Sequence, residues 1–552
     1  MKTSVLLSSS ISLGVPSRRP GLTLPLLFVT VAMLLLLLSI TSSTFADSAT
    51  WKTNPGSGDW NTASNWTPAA VPNDPADTAT FALSNTTGIS LSAVTVNGVV
   101  FNAGASAFSI SVRPRTELTI SGVGITNNSG ITQNFVTTAD QAGFSGEIHF
   151  FNNATAGNLT SFTNNSGSIG GVTFFFNTSS AGTSLFTNED GGLNGANSGV
   201  TQFFDMSTAA NGTFINNGGT SDGAGGGATV FLRTATAGNG TFTNKGGMIG
   251  GAYGGATIFE DTSTAGSATL IANGGTGGGG GGLIYFFYKT TGGTARMELF
   301  GNGFLDISGH NAPGVATGSI EGTGNVFLGD RNLTVGSNNL STNFSGVIQD
   351  GGIIGGIGGS LTKIGTGKLA LSHRNTYTGG TTIKRGKLII NNLGGSGTGS
   401  GPVQVNGGRL GGKGTIAGAV TVGTGTGRGA VLSPGYLNGV DSPGALSIQS
   451  ALTFNSDATY EVEVNSSSPT ADEVIANGVT INTGAQFSFA DLGSGTLIPG
   501  TVFTVINNTA ATPIAGTFSN LLNGSMFTAN GNTYQVNYDG GDGNDLTLAV
   551  IP

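Results

Sequence analysis

The chain has no cysteine in 552 residues. Disulfide staples and thiol chemistry are excluded at the outset. Charge is also scarce. Twenty Lys+Arg and 28 Asp+Glu make 9% of the chain, with a net charge of -8, against about 25% charged residues in an ordinary soluble domain. No basic stripe is available to neutralise phosphates, so nucleic acid is not an expected partner. Histidine occurs three times, as His149, His310 and His373. None of them has a second ligand at the spacing of a metal site, so no metal and no cofactor is expected. There is no G-x-S-x-G elbow, no Walker phosphate loop and no dinucleotide fingerprint.

What is abundant is glycine, at 97 residues. Sixteen prolines and no period of three exclude a collagen-like chain. Phe, Val, Ile and Leu recur through the glycine-rich stretches, so there is apolar surface to bury. The recurrence has a beat. SFTNNSG (161–167), LFTNEDG (185–191), TFINNGG (213–219), TFTNKGG (241–247) and TLIANGG (269–275) rewrite one phrase. Their asparagines Asn164, Asn188, Asn216, Asn244 and Asn273 stand 24, 28, 28 and 29 residues apart. A second marker keeps the same interval: IHFF (148–151), TFFF (173–176), QFFD (202–205), TVFL (229–232), TIFE (257–260) and IYFF (284–287). Small-residue turns such as TAGN (155–158 and 236–239) lie between the markers.

Each unit therefore reads as an apolar strand, a small turn, a second short strand and a glycine-rich turn. Strands this short bury nothing alone, but stacked coils align their apolar positions into one core. The expected fold is all-β, a parallel β-helix or solenoid with glycine- and asparagine-rich turns. The repeated asparagines suit left-handed corners, and in register they suit a hydrogen-bonded ladder.

The N-terminus reads as an export signal. Lys2, Arg18 and Arg19 precede an apolar run from Leu22 to Ile40, and Thr44 and Ala46 are small residues at peptidase spacing. Residues 1–46 are expected to be removed, the alternative being an uncleaved anchor. No second long apolar run follows, so no transmembrane domain is expected in the mature chain. Residues 47–80 hold Trp51, Trp60 and Trp66 among prolines. They read as a cap over the first coil; a sugar-stacking platform is the alternative. The solenoid proper, with units of about 28 residues, is placed at 81–360 and further coils at 361–444. Residues 445–552 read as wider coils or a small antiparallel cap.

The segment 361–390, LTKIGTGKLALSHRNTYTGGTTIKRGKLII, differs in texture. Alternation predicts strands at Lys368–Leu371, Thr381–Ile383 and Lys387–Ile390, split by glycine turns. Lys363, Gly365, Gly367, Leu369 and Leu371, then Asn375, Tyr377, Gly379 and Thr381, then Gly386 and Leu388 make up a phrase that resembles the autotransporter-associated β-strand repeat. The resemblance implies a secreted or cell-surface β-helical passenger. Such proteins often carry a C-terminal outer-membrane barrel. The residues after 450 lack the strand series and aromatic girdles of one.

Few residues invite chemistry. Glu147, Asp205, Glu260, Asp261 and Asp306 are the carboxylates of the repeat region, and Glu147 and His149 alternate on one strand. Glu461 and Glu463 share a strand face, as a solvated face would. GGDGNDL (540–546) fits one copy of a calcium-binding β-roll phrase, with Asp539, Asp542 and Asp545 as its carboxylates. The shared ligands of a second copy are missing. The expectation is a non-enzymatic, secreted or surface-attached structural or adhesin-like protein. Envelope components or an extracellular polysaccharide are its partners, and self-association runs through the solenoid ends. A carbohydrate-binding or polysaccharide-degrading β-helix is the alternative.

Overall fold

The structure is a computed structural model that describes residues 47–552, apart from 141–143, 168–169, 193–196, 428 and 436–441. The expected export signal lies outside the described residues. Among those residues no helix is long and apolar enough to cross a membrane.

The two repeating phrases become two strands per coil. Val172–Phe175, Val200–Phe203, Ala228–Phe231, Ala256–Phe259 and Leu283–Phe286 pair in parallel, each with the equivalent strand one coil on. They belong to a 14-stranded first sheet that runs from Trp66–Thr67, paired antiparallel with Ala49–Trp51, to Val347–Gln349. Thr160–Asn164, Leu185–Asn188, Thr213–Asn216, Thr241–Asn244 and Thr269–Ala272 do the same in a second sheet. Between the sheets a narrow third face is stitched by single parallel bridges through Thr155, Ser180, Thr208, Thr236, Thr264 and Thr291. Parallel pairing of consecutive coils in unbroken register is a parallel β-helix.

The strands show why four residues suffice. Each reads intermediate–buried–intermediate–buried or close to it, the period of a pleat with one face inside. The inward positions stack like on like. Phe150, Phe175, Phe203, Phe231, Phe259 and Phe286 form a column with ring centroids 4.6–5.0 Å apart and planes within 9° of parallel. Phe162, Phe186, Phe214 and Phe242 form a second column. The columns meet edge to face at 5.5–5.8 Å. That offset satisfies the quadrupoles of both sets.

The corners correct one expectation. The repeated asparagines do not sit at left-handed positions. At the repeating corners those belong to Asn152, Asn177, Asp205, Arg233, Asp261 and Tyr288, with φ from 56° to 59°. Asn177 Oδ1 accepts the backbone N–H of Asn152, Asp205 Oδ2 that of Asn177, and Asp261 Oδ2 that of Arg233, at 2.9–3.0 Å. A side-chain oxygen from the next coil thus satisfies an N–H that the corner leaves unpaired.

From about residue 314 the coil changes. The second sheet divides into two parallel stacks, one through Ser360–Lys363 and Thr381–Ile383, the other through Lys368–Leu371 and Lys387–Ile390. Parallel coils continue to Gln486–Asp491. Beyond them Val502–Asn508, Asp545–Ile551, Asn532–Gly540 and Met526–Ala529 pair antiparallel and close one sheet. Met526–Ala529 is its open edge.

Candidate functional site

The asparagine phrase resolves into an internal ladder. Asn164, Asn188, Asn216 and Asn244 are fully buried at the inward end of second-sheet strands. Each Nδ2 donates to Oδ1 of the next, at 2.8, 2.7 and 2.7 Å. The same Nδ2 atoms reach Val200, Ala228 and Ala256 carbonyls at 2.8–2.9 Å. Thr173, Thr201, Thr229 and Thr257, all buried, donate to the four Oδ1 atoms at 2.8–3.0 Å. Asn273 is not a rung, contrary to its place in the phrase. Register sets Ala272 beside Asn244, so Asn244 Nδ2 finds no acceptor and the ladder stops there. The ladder holds coils together and faces no solvent.

The tryptophans are equally enclosed. Trp51, Trp60 and Trp66 are at most 1% exposed. They pack edge to face at 5.0 Å and lie over Phe81 at 5.4–6.1 Å. Their N–H groups donate to the carbonyls of Thr86, Pro72 and Trp60. Ring faces used up in this way are closed to a sugar, which removes the support for a stacking platform.

The residues of the 361–390 phrase have separable tasks. Leu369, Leu371 and Leu388 fill the core. A Cβ on Gly367 would lie 2.2 Å from the Leu340 carbonyl, and one on Gly379 2.1 Å from that of Gly358. Gly365 and Gly386 take φ of 67° and 75°. Buried Asn375 accepts the N–H of Ile348 at 2.7 Å and donates to the Gly397 carbonyl at 2.6 Å. The Tyr377 hydroxyl, fully buried, meets Thr381 Oγ1 at 2.6 Å, and burial pushes its acidity far down. Lys363 is 1% exposed; its ammonium donates to the Ile364 and Gly365 carbonyls. Burial brings its pKa down to about 8.

The scattered carboxylates stay apart in role. Asp205 and Asp261 are the corner residues described above. The Asn177 N–H, then Arg233, hold the Asp205 carboxyl below its usual range. Asp306 is buried and accepts the Ser308 and Ile353 N–H groups at 2.8 and 2.7 Å. Burial raises its pKa despite those bonds. Glu260 is raised too, by burial and then by Asp261. Glu461 pairs with Arg409. Both ring nitrogens of His310 face backbone carbonyls, of Asn311 and Thr290, and His373 is exposed. GGDGND forms the turn of an antiparallel hairpin, with Gly540 opposite Asp545. It is not a stacked coil, so the geometry of a calcium β-roll is not built there. Asp545 Oδ1 instead accepts the Asn508 N–H at 2.9 Å.

One grouping does form. Glu147 and His149 share the outward face of Glu147–Phe150, and Glu117 of the neighbouring coil is the lateral partner of Glu147. The sequence showed Glu147 and His149 alternating; Glu117, 30 residues away, is brought in by coil register alone. Two surface depressions, of about 420 and 540 Å³, are lined mainly by Thr, Ser and Asn and by no carboxylate.

The family model of the passenger-associated-transport-repeat matches residues 361–390. The chain is a parallel β-helix that carries a repeat of the autotransporter-passenger type, and the resemblance read in its sequence is that repeat. The crystal structure of the Haemophilus influenzae Hap adhesin is similar at 12% identity, over 86% of this chain and 63% of that one, with a TM-score of 0.23. At that score the superposition carries no argument. The β-helix stands on its own strand register. This chain spans just under two thirds of the adhesin's length. No curated protein matches the sequence.

Proposed function

We propose that this chain is a non-enzymatic, secreted or cell-surface structural protein of the adhesin-like passenger type. The observation that carries the reading is the continuous stack of coils with a passenger-associated-transport-repeat built into it at 361–390. The interior of the repeating coils is filled by neutral Phe, Asn and Thr columns, while Asp205, Asp261 and Glu461 serve corners and ion pairs. An envelope surface or an extracellular polymer is the partner class this suits. Contact between chains through the open edge at Met526–Ala529 is part of the same reading, since an unpaired edge accepts another strand.

The test is protease shaving and immunolabelling of intact cells of the native organism, with antibody to residues 47–552, followed by N-terminal sequencing of the recovered protein. Labelling at the surface with a start near Asp47 supports the proposal. Recovery only from the cytosol with residues 1–46 attached defeats it.

A further inference from the structure

We infer that Glu117, Glu147 and His149 form a binding site for one divalent transition-metal ion, with Zn²⁺ as the working probe. One ligand atom from each residue lies within 4.8 Å of the others. His149 Nε2 is 2.8 Å from Glu147 Oε2, and Nδ1 is 3.6 Å from Glu117 Oε2. Metal bonds of about 2.1 Å place two ligands of one ion up to about 4 Å apart. An imidazole gives one ion one nitrogen, so the ion sits at Nδ1 or Nε2 and the glutamate that faces the other nitrogen turns to reach it; both glutamates are about half-exposed.

The surroundings point the same way. Glu117 and Glu147 are directly opposite each other on adjacent parallel strands, where two like charges repel. The nearby cations of the same stretch are turned elsewhere, Arg113 to Asp59 and Arg115 to Asp140. A dication between the two glutamates removes the repulsion. Thr119 Oγ1 donates to Glu117 Oε1 at 3.3 Å, an outer partner of the kind that orients a ligating carboxylate. His149 is edge-on to Phe174 at 5.0 Å, with Phe151 and Phe176 at 6.0 Å. That wall fixes the imidazole plane and leaves the glutamate side open to water. One imidazole with two carboxylates selects Zn²⁺, Cu²⁺, Co²⁺ or Ni²⁺ over Ca²⁺ and Mg²⁺. Because the ligands come from two coils, the ion ties those coils together.

The experiment is calorimetric titration of chelator-treated residues 47–552 with ZnCl₂, paired with the visible spectrum of the Co²⁺ form. The expected result is saturable uptake of one equivalent and cobalt d–d bands. Glu117→Gln and His149→Phe each weaken uptake by at least about tenfold, and millimolar Ca²⁺ does not compete. Phenylalanine at 149 sets a ring beside its lateral neighbour Phe174, so H149F is expected to keep the fold, as far-UV circular dichroism would verify. His373→Phe is expected to bind like the parent. The inference is overturned if the parent chain shows no saturable uptake. It also fails if folded E117Q and H149F bind as the parent does, or if H373F is the variant that loses the ion.

Discussion

Replacing Asn216 with alanine is the sharpest probe of the buried ladder. Asn216 accepts from Asn188 Nδ2 at 2.7 Å and Thr229 Oγ1 at 3.0 Å, and donates to Asn244 Oδ1 at 2.7 Å and the Ala256 carbonyl at 2.8 Å. Two of the four partners are compensated after truncation. Asn188 Nδ2 keeps the Ala228 carbonyl, and Asn244 Oδ1 keeps the Thr257 hydroxyl. The Thr229 hydroxyl keeps the 3.2 Å bond from Asn188 Nδ2 but loses its acceptor, and the Ala256 carbonyl loses its side-chain donor, in a dry interior at about 1–3 kcal/mol each. The vacated amide adds about 1 kcal/mol of cavity cost. The sum is about 3–7 kcal/mol. Asn244→Ala should cost less by about 1–2 kcal/mol, because Asn244 Nδ2 already lacks an acceptor and its loss relieves an unpaired donor. Asn216→Asp should be worse than alanine at neutral pH, since a carboxylate oxygen then faces the Asn244 and Ala256 oxygens, and it should partly recover in acid. Native-state hydrogen exchange at Thr213–Asn216 and Thr241–Asn244 measures these local free energies. Exchange is the right assay because coils couple mainly to their neighbours. All three tryptophans pack together at the N-terminal end of the first sheet, so fluorescence gives an independent reading of that end. Equal costs for N216A and N244A, or an N216A cost under about 1 kcal/mol, would refute the ladder as a stabilising network.

Lys363 makes stability depend on pH. Its folded pKa is depressed to about 8 from 10.5, so the unfolded chain binds the proton more tightly. Stability is therefore lowest below pH 8 and rises toward pH 10.5, by at most about 3 kcal/mol. Urea unfolding at pH 7.5 and pH 9.5 should show that rise in the parent and not in Lys363→Met. Gly367→Ala pushes a methyl into the Leu340 carbonyl and should cost about 2–3 kcal/mol, read as lost exchange protection in Lys368–Leu371. Phe231→Ala opens a gap in a column packed on both faces and should cost about 3–5 kcal/mol; thermal melts by circular dichroism measure it. Millimolar calcium should leave the melting of the parent chain unchanged, since GGDGND is a hairpin turn; a clear rise in Tm would reinstate a calcium site.

The period, the strands and the fold class were legible in the sequence because they are local properties repeated in place. Phe at alternate positions, glycine after each strand and a return near every 28 residues are enough to write the coil. In 361–390 even the strand limits Lys368–Leu371, Thr381–Ile383 and Lys387–Ile390 coincide with the structure. Whether a tryptophan covers a core or meets a ligand is not local, and only packing decided it for Trp51, Trp60 and Trp66. Register was the other decision left to the tertiary structure. Asn273 repeats the phrase yet misses the ladder by one residue, and one residue turns a side chain from the inside of a strand to the outside. The same register carried Glu117 to Glu147 and His149; the alternation of the last two was readable in the sequence, but Glu117 was joined to them by coil pairing alone. A coil stack fixes lateral neighbours by hydrogen bonding between turns, and that pairing is written in the closed fold, not in the linear text.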